Sequence, residues 1–210
     1  MAARILQRSE PQRDRAVSLL RQRGMVRLRE FREKGVTAAT VSRLEREGRL
    51  VRLARGLYQL PDAPVEAYHS LAEAAKLVPR GVICLASALA FHDLTDQIPA
   101  RVWIAIGSKD WRPRLDQALM RFVRFPPERL NNGVEYHQIE GVRVPIFNVA
   151  KTLADVFRYR RIIGTTIAVE GLREALRKKK ATPAEISRRA IQAGVWNAMR
   201  PYMEALTLDG

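Results

Sequence analysis

Thr40, Arg43 and Arg46 recur at three-residue spacing, which on a helix places them on one outward face. Hydroxyl and guanidinium groups presented that way suit the base edges of a DNA major groove. Arg52 and Arg55 follow in a short basic stretch, Val51-Arg52-Leu53-Ala54-Arg55-Gly56-Leu57-Tyr58. Guanidinium groups beside a reading helix suit backbone phosphates, which position a protein without reading sequence. With Thr37 and Tyr58, these residues form the candidate DNA-binding set: Thr37, Thr40, Arg43, Arg46, Arg52, Arg55 and Tyr58.

Such side chains need rigid carriers, and Met25 to Leu60 supplies their pattern. Leu28 and Phe31 give Arg27 to Lys34 an inward stripe. Gly35 accepts the left-handed backbone of a sharp turn. Thr37 stands where an N-cap opens the next helix, which runs to about Glu47 with Val41 and Leu44 inward and Gly48 as its stop. Residues 50–53 and 57–60 then read as strands around a Gly-bearing tip. Pro11 to Gly24 supplies a preceding helix with Val17, Leu19 and Leu20 on its apolar side. The whole is a winged helix-turn-helix. A bland alternative is a small helical unit used only for packing or dimer contact.

The charge supports a polyanionic partner. The chain has 210 residues and a formal net charge of +15, with 47% hydrophobic and 28% charged residues. Residues 1–60 hold 15 Lys/Arg against 6 Asp/Glu; residues 61–210 hold 22 against 16. The excess is densest around the suspected reading module, which favours nucleic acid over an anionic membrane surface. The single cysteine, Cys84, lies in an apolar run and reads as a core residue; no internal disulfide is possible. Residues 1–10 lack the apolar segment of a secretory signal, and the apolar run 81–91 is too short to cross a bilayer. A cytoplasmic location without membrane contact is expected.

Pro61 and Pro64 mark a domain edge, so residues 1–62 form the reading module and 63–210 a second domain. The pattern predicts an α+β protein: the winged module, then an α/β domain with a small, mostly antiparallel sheet and several helices. In that domain, helices are expected over 66–77, 82–94, 148–159, 165–180, 182–193 and 196–206. Strands are expected over 101–106, 119–125, 134–139 and 142–147. Thr182-Pro183-Ala184-Glu185 is a capping-box start.

Arg101, Lys109, Arg112, Arg114, Arg121 and Arg124 make a second basic set, interleaved with Trp103, Trp111, Phe122 and Phe125. Two readings stand: a polyanion-binding face with aromatics stacking on unpaired bases, or a solvated sheet face with its aromatics in the core. The run 177–180 suits a helix C-terminus, where cations meet free carbonyls. Ser87 can bond back to a carbonyl of its own helix. His92 beside Asp93 reads as a core histidine bonded to a neighbour before it reads as a proton-transfer pair. His69, His92, His137 and Cys84 lack metal-ligand spacing, and no metal or cofactor is expected. Gly107-Ser108 after an apolar strand faintly suggests nucleotidyl transfer, but Asp110 and Asp116 are too far apart in sequence for a two-metal clamp. The chain has no phosphate-binding Walker loop, nucleophile elbow or zinc-protease helix. A non-enzyme is expected; the alternative is a nucleotidyltransferase or nuclease targeted by the winged module.

Several stretches carry a family resemblance. They are Arg55-Gly56-Leu57-Tyr58, then Pro79-Arg80-Gly81 leading into residues 84–99 (CLASALAFHDLTDQIP), the strand to Gly107, and Val149-Ala150-Lys151-Thr152-Leu153-Ala154-Asp155. In this order they resemble the AbiEi antitoxins of bacterial type IV toxin–antitoxin (abortive infection) systems, over nearly the whole chain. The resemblance implies a transcriptional autorepressor whose winged helix binds inverted repeats in its own promoter, cooperatively and with bending. It implies a second domain that counteracts a nucleotidyltransferase-like toxin without tight toxin binding. It also points to the second basic set for antitoxicity, with RNA as a further contact. Lys151 and Asp155 match the family pattern; by spacing alone they read as a surface pair one helical turn apart.

Overall fold

The computed structural model describes residues 11–110 and 119–208. Two compact units divide the chain. The first is Met1–Leu77 with Gln138–Val142, the second Val78–His137 with Arg143–Gly210.

In the first unit, helices α1 (Gln12–Arg23), α2 (Leu28–Glu33) and α3 (Ala38–Arg46) accompany strands β1 (Val26–Arg27), β2 (Val51–Ala54) and β3 (Leu57–Gln59); α4 (His69–Leu77) follows. The strands form an antiparallel sheet in the order β1-β3-β2, so the wing gains a third strand that its hairpin did not announce. Ala16, Leu19, Leu20, Val26, Phe31, Val36, Val41, Leu44, Leu50 and Tyr58 close a core beneath it. Gly35, at φ +72°, lets Val36 N–H reach the Phe31 carbonyl at 2.9 Å and ends α2 sharply.

The sequence placed the domain edge after Asp62, whereas residues 63–77 fall within the first unit. Hydrogen bonds hold α4 there. Arg27 Nη1 donates to the Lys76 and Leu77 carbonyls at 2.8 and 3.2 Å. Lys76 Nζ donates to both Glu30 carboxylate oxygens at 3.0 Å. Burial pushes the Glu30 carboxyl up, but the Arg27 N–H and the Lys76 ammonium outweigh it and hold it below the ordinary range.

The second unit contains a five-stranded sheet in the order β6-β5-β4-β8-β7. Its strands are β4 (Val82–Ile83), β5 (Val102–Gly107), β6 (Met120–Phe125), β7 (Val134–Ile139) and β8 (Val142–Phe147). β5 runs parallel to β6 and antiparallel to β4, while β4 runs parallel to β8. The sheet is therefore mixed, not mostly antiparallel. A tight turn would have forced β5 and β6 antiparallel; the long connection 108–119 leaves room for a crossover. Residues 82–94 do not form one helix. Val82 and Ile83 join the sheet, and α5 begins only at Leu85 and ends at Phe91. Ser87 accepts the Trp103 N–H at 2.9 Å instead of donating within its own helix.

Helices α6 (Pro127–Leu130), α7 (Val149–Arg158), α8 (Arg160–Ile163), α9 (Thr165–Arg177), α10 (Pro183–Gln192) and α11 (Trp196–Leu208) complete this unit. α7 is its centre, packed by α5, α9 and α10. Asn148 caps it by accepting the Lys151 N–H at 3.0 Å. Leu153, Val156 and Phe157 enter a core shared with Leu85, Leu89, Phe125, Phe147 and Leu172. The capping box at Thr182 forms as expected: Thr182 Oγ1 accepts the Glu185 N–H at 3.2 Å, and Glu185 accepts the Thr182 N–H at 2.8 Å. Among the described residues no helix is long and apolar enough to cross a membrane.

Candidate nucleic-acid interface

The expected reading helix is α3. Val41 and Leu44 are inside, at 0% and 1% exposure, which turns Ala39, Ser42, Arg43 and Arg46 to solvent. The Arg43 side chain makes no hydrogen bond or ion pair among the described residues, so its guanidinium is available to a partner. Arg46 Nε reaches back to the Ser42 carbonyl at 3.4 Å, a long bond that leaves its terminal nitrogens unused.

Thr37 and Thr40 have other work. Thr37 Oγ1 accepts the Thr40 N–H at 3.3 Å and caps α3. Gln12 Oε1 accepts both the Thr37 N–H at 3.0 Å and the Thr40 hydroxyl at 2.9 Å. Thr40 is half-buried on the flank of α3, so it does not stand beside Arg43 at the centre of the exposed face. Ala39 and Ser42 hold that place. A small apolar group can meet a thymine methyl and a serine can meet either kind of base edge. The three-residue rule picked out Thr40 by type; the face directly opposite the inward Val41 and Leu44 holds Ala39 and Ser42 instead.

The wing tip is Arg55-Gly56, with a bulge between Arg52 and Ala54 in the β2–β3 register. Gly56 sits at φ +72°, and its carbonyl accepts the Leu28 N–H at 2.8 Å, which fixes the tip to the start of α2. Arg55 is exposed and makes no hydrogen bond or ion pair among the described residues. Arg52 is exposed, with Nε 3.4 Å from the Ala54 carbonyl. Arg49, exposed just before β2, adds a cation that sequence reasoning passed over. Tyr58 is a correction. It is 6% exposed, with its ring edge-on to Phe31 at 6.2 Å, and burial pushes its phenol up. All of β3 is buried, and Tyr58 belongs to the core beneath the wing.

The second basic set is dispersed. Arg112 and Arg114, with Trp111, lie outside the described residues. Arg101 and Lys109 are exposed. Arg121 lies over the Trp103 ring at 4.3 Å. Arg124 is spent on backbone: its Nη1 donates to the Gly107, Ser108 and Asp110 carbonyls at 3.2, 2.8 and 2.9 Å. Trp103 and Phe125 are 7% and 0% exposed, so these two rings belong to the core and offer no stacking surface.

Lys151 and Asp155 pair, but not at the surface. They are 4% and 0% exposed and form an ion pair, and Arg129 Nη2 donates to the other Asp155 oxygen at 2.8 Å. The Phe125 and Phe147 rings cover the Lys151 ammonium at 4.8 and 4.5 Å. Burial pulls the Lys151 ammonium below its ordinary value, against the opposing pull of Asp155. Helical spacing shows that the two residues meet; it cannot show that β6, β8 and α6 will cover them. His92 behaves as a core histidine: its Nε2 is 2.7 Å from the Phe147 carbonyl, and burial lowers its pKa. Among the described residues no three metal-ligating side chains converge.

Comparison with known proteins supports this reading of the first unit. Residues 14–61 match the family described as transcriptional regulator, AbiEi antitoxin. Over those residues the chain is similar to that regulator family, and its resemblance to the AbiEi antitoxins holds there. No curated protein matches the chain. Among solved structures, the RV2827C protein from Mycobacterium tuberculosis is similar, with a TM-score of 0.61 at 15% identity over 95% of this chain and 82% of that one. At that identity the likeness is one of fold.

Proposed function

We propose, from the similarity of residues 14–61 to the AbiEi regulator family, that the protein is a sequence-specific, double-stranded-DNA-binding autorepressor and the antitoxin of a type IV toxin–antitoxin pair. One observation carries the reading: Arg43 stands unpaired on the exposed face of α3 in a chain of net charge +15. In this account α3 enters the major groove, and Arg43, Ser42 and Arg46 meet base edges there. Arg55 and Arg52 at the wing lie on phosphates. The operator is a pair of inverted repeats in the protein's own promoter, and the site of action is the cytoplasm. The second unit counteracts a nucleotidyltransferase-like toxin without binding it tightly. Arg101, Lys109 and Arg121 remain its candidate antitoxicity residues, with RNA as a further contact; Arg124 has less support because its guanidinium is engaged.

The competing enzyme reading has less behind it. Lys151 and Asp155, the acid–base pair within the family motif, are buried and spend their charges on each other and on Arg129. The test uses a reporter driven by the upstream region of the gene and a neighbouring reading frame expressed from an inducible promoter. Repression of the reporter by the protein, lost in Arg43→Ala, together with relief of the neighbour's toxicity, is expected. An unrepressed reporter would remove the autoregulatory claim, and undiminished toxicity would remove the antitoxin claim.

A further inference from the structure

The second unit contains a polar cavity of about 500 Å³ that the DNA reading does not use. α10 and the turn before it contribute Lys180, Arg188 and Arg189 to its lining; β7 and the residues before it contribute Asn132, Glu135 and His137. The Lys180 and Arg188 side chains make no hydrogen bond or ion pair among the described residues. Arg189 has only a neutral partner, Gln192 Oε1 at 3.2 Å. Three cations at one concavity repel one another, and an anion bound among them would relieve that repulsion.

Two carboxylates line the same space against three cations, and Arg188 helps to hold the Glu185 carboxyl ionised. Glu185 is held by the Thr182 N–H and hydroxyl, both at 2.8 Å, as the cap of α10. Glu135 is on β7, 3.7 Å from His137 Nε2 and beyond hydrogen-bond reach. That Nε2 is buried and has no hydrogen-bond partner among the described residues, and the ring packs edge-on against Phe91 and His92. The start of α7 also opens here. The Val149 and Ala150 N–H groups, in its first turn, have no acceptor inside the helix.

The volume lies within the range for small-molecule sites, about 300–1,000 Å³, and far exceeds the needs of a bare tetrahedral anion. Its lining combines cations with an amide, a carboxylate and an imidazole. We propose that this cavity binds a nucleoside monophosphate, with its phosphate on Lys180, Arg188 and Arg189 and its hydroxyl and base groups on Asn132, Glu135 and His137. The site goes beyond DNA recognition and does not depend on it.

Calorimetric titration of the full-length protein tests this with the four ribonucleoside 5′-monophosphates, the matching nucleosides and inorganic phosphate. At least one monophosphate should bind saturably, with Kd below about 1 mM. The nucleoside and inorganic phosphate should each bind at least about tenfold more weakly, because each keeps only part of the contact set. Arg188→Glu, at an exposed position of α10, should weaken binding by at least about tenfold, whereas Arg173→Glu, an equal charge change outside the cavity, should not. Circular dichroism confirms that both variants fold. No saturable binding of any monophosphate would overturn the proposal, as would equal binding of inorganic phosphate. Loss of binding in both variants alike, or in neither, would place the ligand elsewhere, including on the basic first unit.

Discussion

Asp155→Ala should destabilise the second unit far more than Lys151→Met. Asp155 is fully buried and accepts hydrogen bonds from both Lys151 and Arg129. Removing it leaves the Lys151 ammonium, 4% exposed, facing a second cation with no counter-charge. Breaking a buried pair in this way costs about 3–5 kcal/mol, against a total of about 5–15 kcal/mol for a typical domain. Lys151→Met is milder. Asp155 keeps its bond to Arg129, which is 23% exposed, and the thioether can occupy the space under Phe125 and Phe147. A loss of about 1–3 kcal/mol is expected, the cost of an incompletely satisfied buried acceptor. The double variant Lys151→Met with Asp155→Leu should recover most of the Asp155→Ala loss, since buried pairs are often replaceable by apolar side chains of similar size.

Urea unfolding followed by tryptophan fluorescence reads this unit selectively, because Trp103, Trp111 and Trp196 all lie within it. A pH series adds a sign. Burial already lowers the Lys151 ammonium and Asp155 opposes that; without Asp155 it falls further. Folded Asp155→Ala then binds fewer protons than its unfolded chain at pH values between the two lysine pKa values. Its unfolding free energy must therefore rise with pH, up to the unfolded lysine value of about 10.4. An Asp155→Ala loss under about 1 kcal/mol, or one smaller than that of Lys151→Met, would refute the buried-pair account.

Three further outcomes are expected. Tyr58→Phe should leave DNA affinity within about twofold of the parent, because the ring is in the core; a larger fall in a filter-binding titration would return Tyr58 to the interface. Thr37→Ala, which removes the cap of α3, should cost about 0.5–2 kcal/mol by circular dichroism in a urea titration. An unchanged midpoint would mean that the Gln12 contacts alone hold that end. Arg55→Ala should weaken operator and random DNA alike and reduce the slope of log K against log salt by about 1, as for one lost phosphate contact. A selective loss on the operator would make Arg55 a base reader instead.

Local signals were legible where local chemistry sets the structure. Glu140-Gly141 between two alternating runs gave the β7–β8 hairpin to the residue, and Thr37, Asn148 and Thr182 opened helices where their side chains can cap. The misses are non-local. Val82 and Ile83 sit in an apolar run that fits a buried helix or a buried strand equally, and pairing with β5 and β8 decides between them. The parallel pairing of β5 with β6 depends on a crossover that periodicity does not encode. Lys151 and Asp155 carry a surface pattern and receive a core environment from other elements. In the candidate interface, residue type favoured Thr40 and Tyr58, but the axis set by Val41 and Leu44 and the burial of the whole of β3 turn these aside and leave Arg43, Ser42 and Ala39 exposed. The cavity near His137 draws on several separate elements, so no spacing rule could assemble it.

The most direct test of the central claim is a fluorescence-anisotropy titration of the protein and its Arg43→Ala variant. Each is titrated, at one fixed salt concentration, on the upstream DNA of its gene and on a scrambled duplex of equal length. The account predicts tighter binding of the upstream duplex by the parent, with a preference that shrinks by about 1–3 kcal/mol in Arg43→Ala while scrambled-DNA affinity changes little. Equal affinity of the parent for both duplexes, or a preference that survives the loss of Arg43 intact, would contradict it.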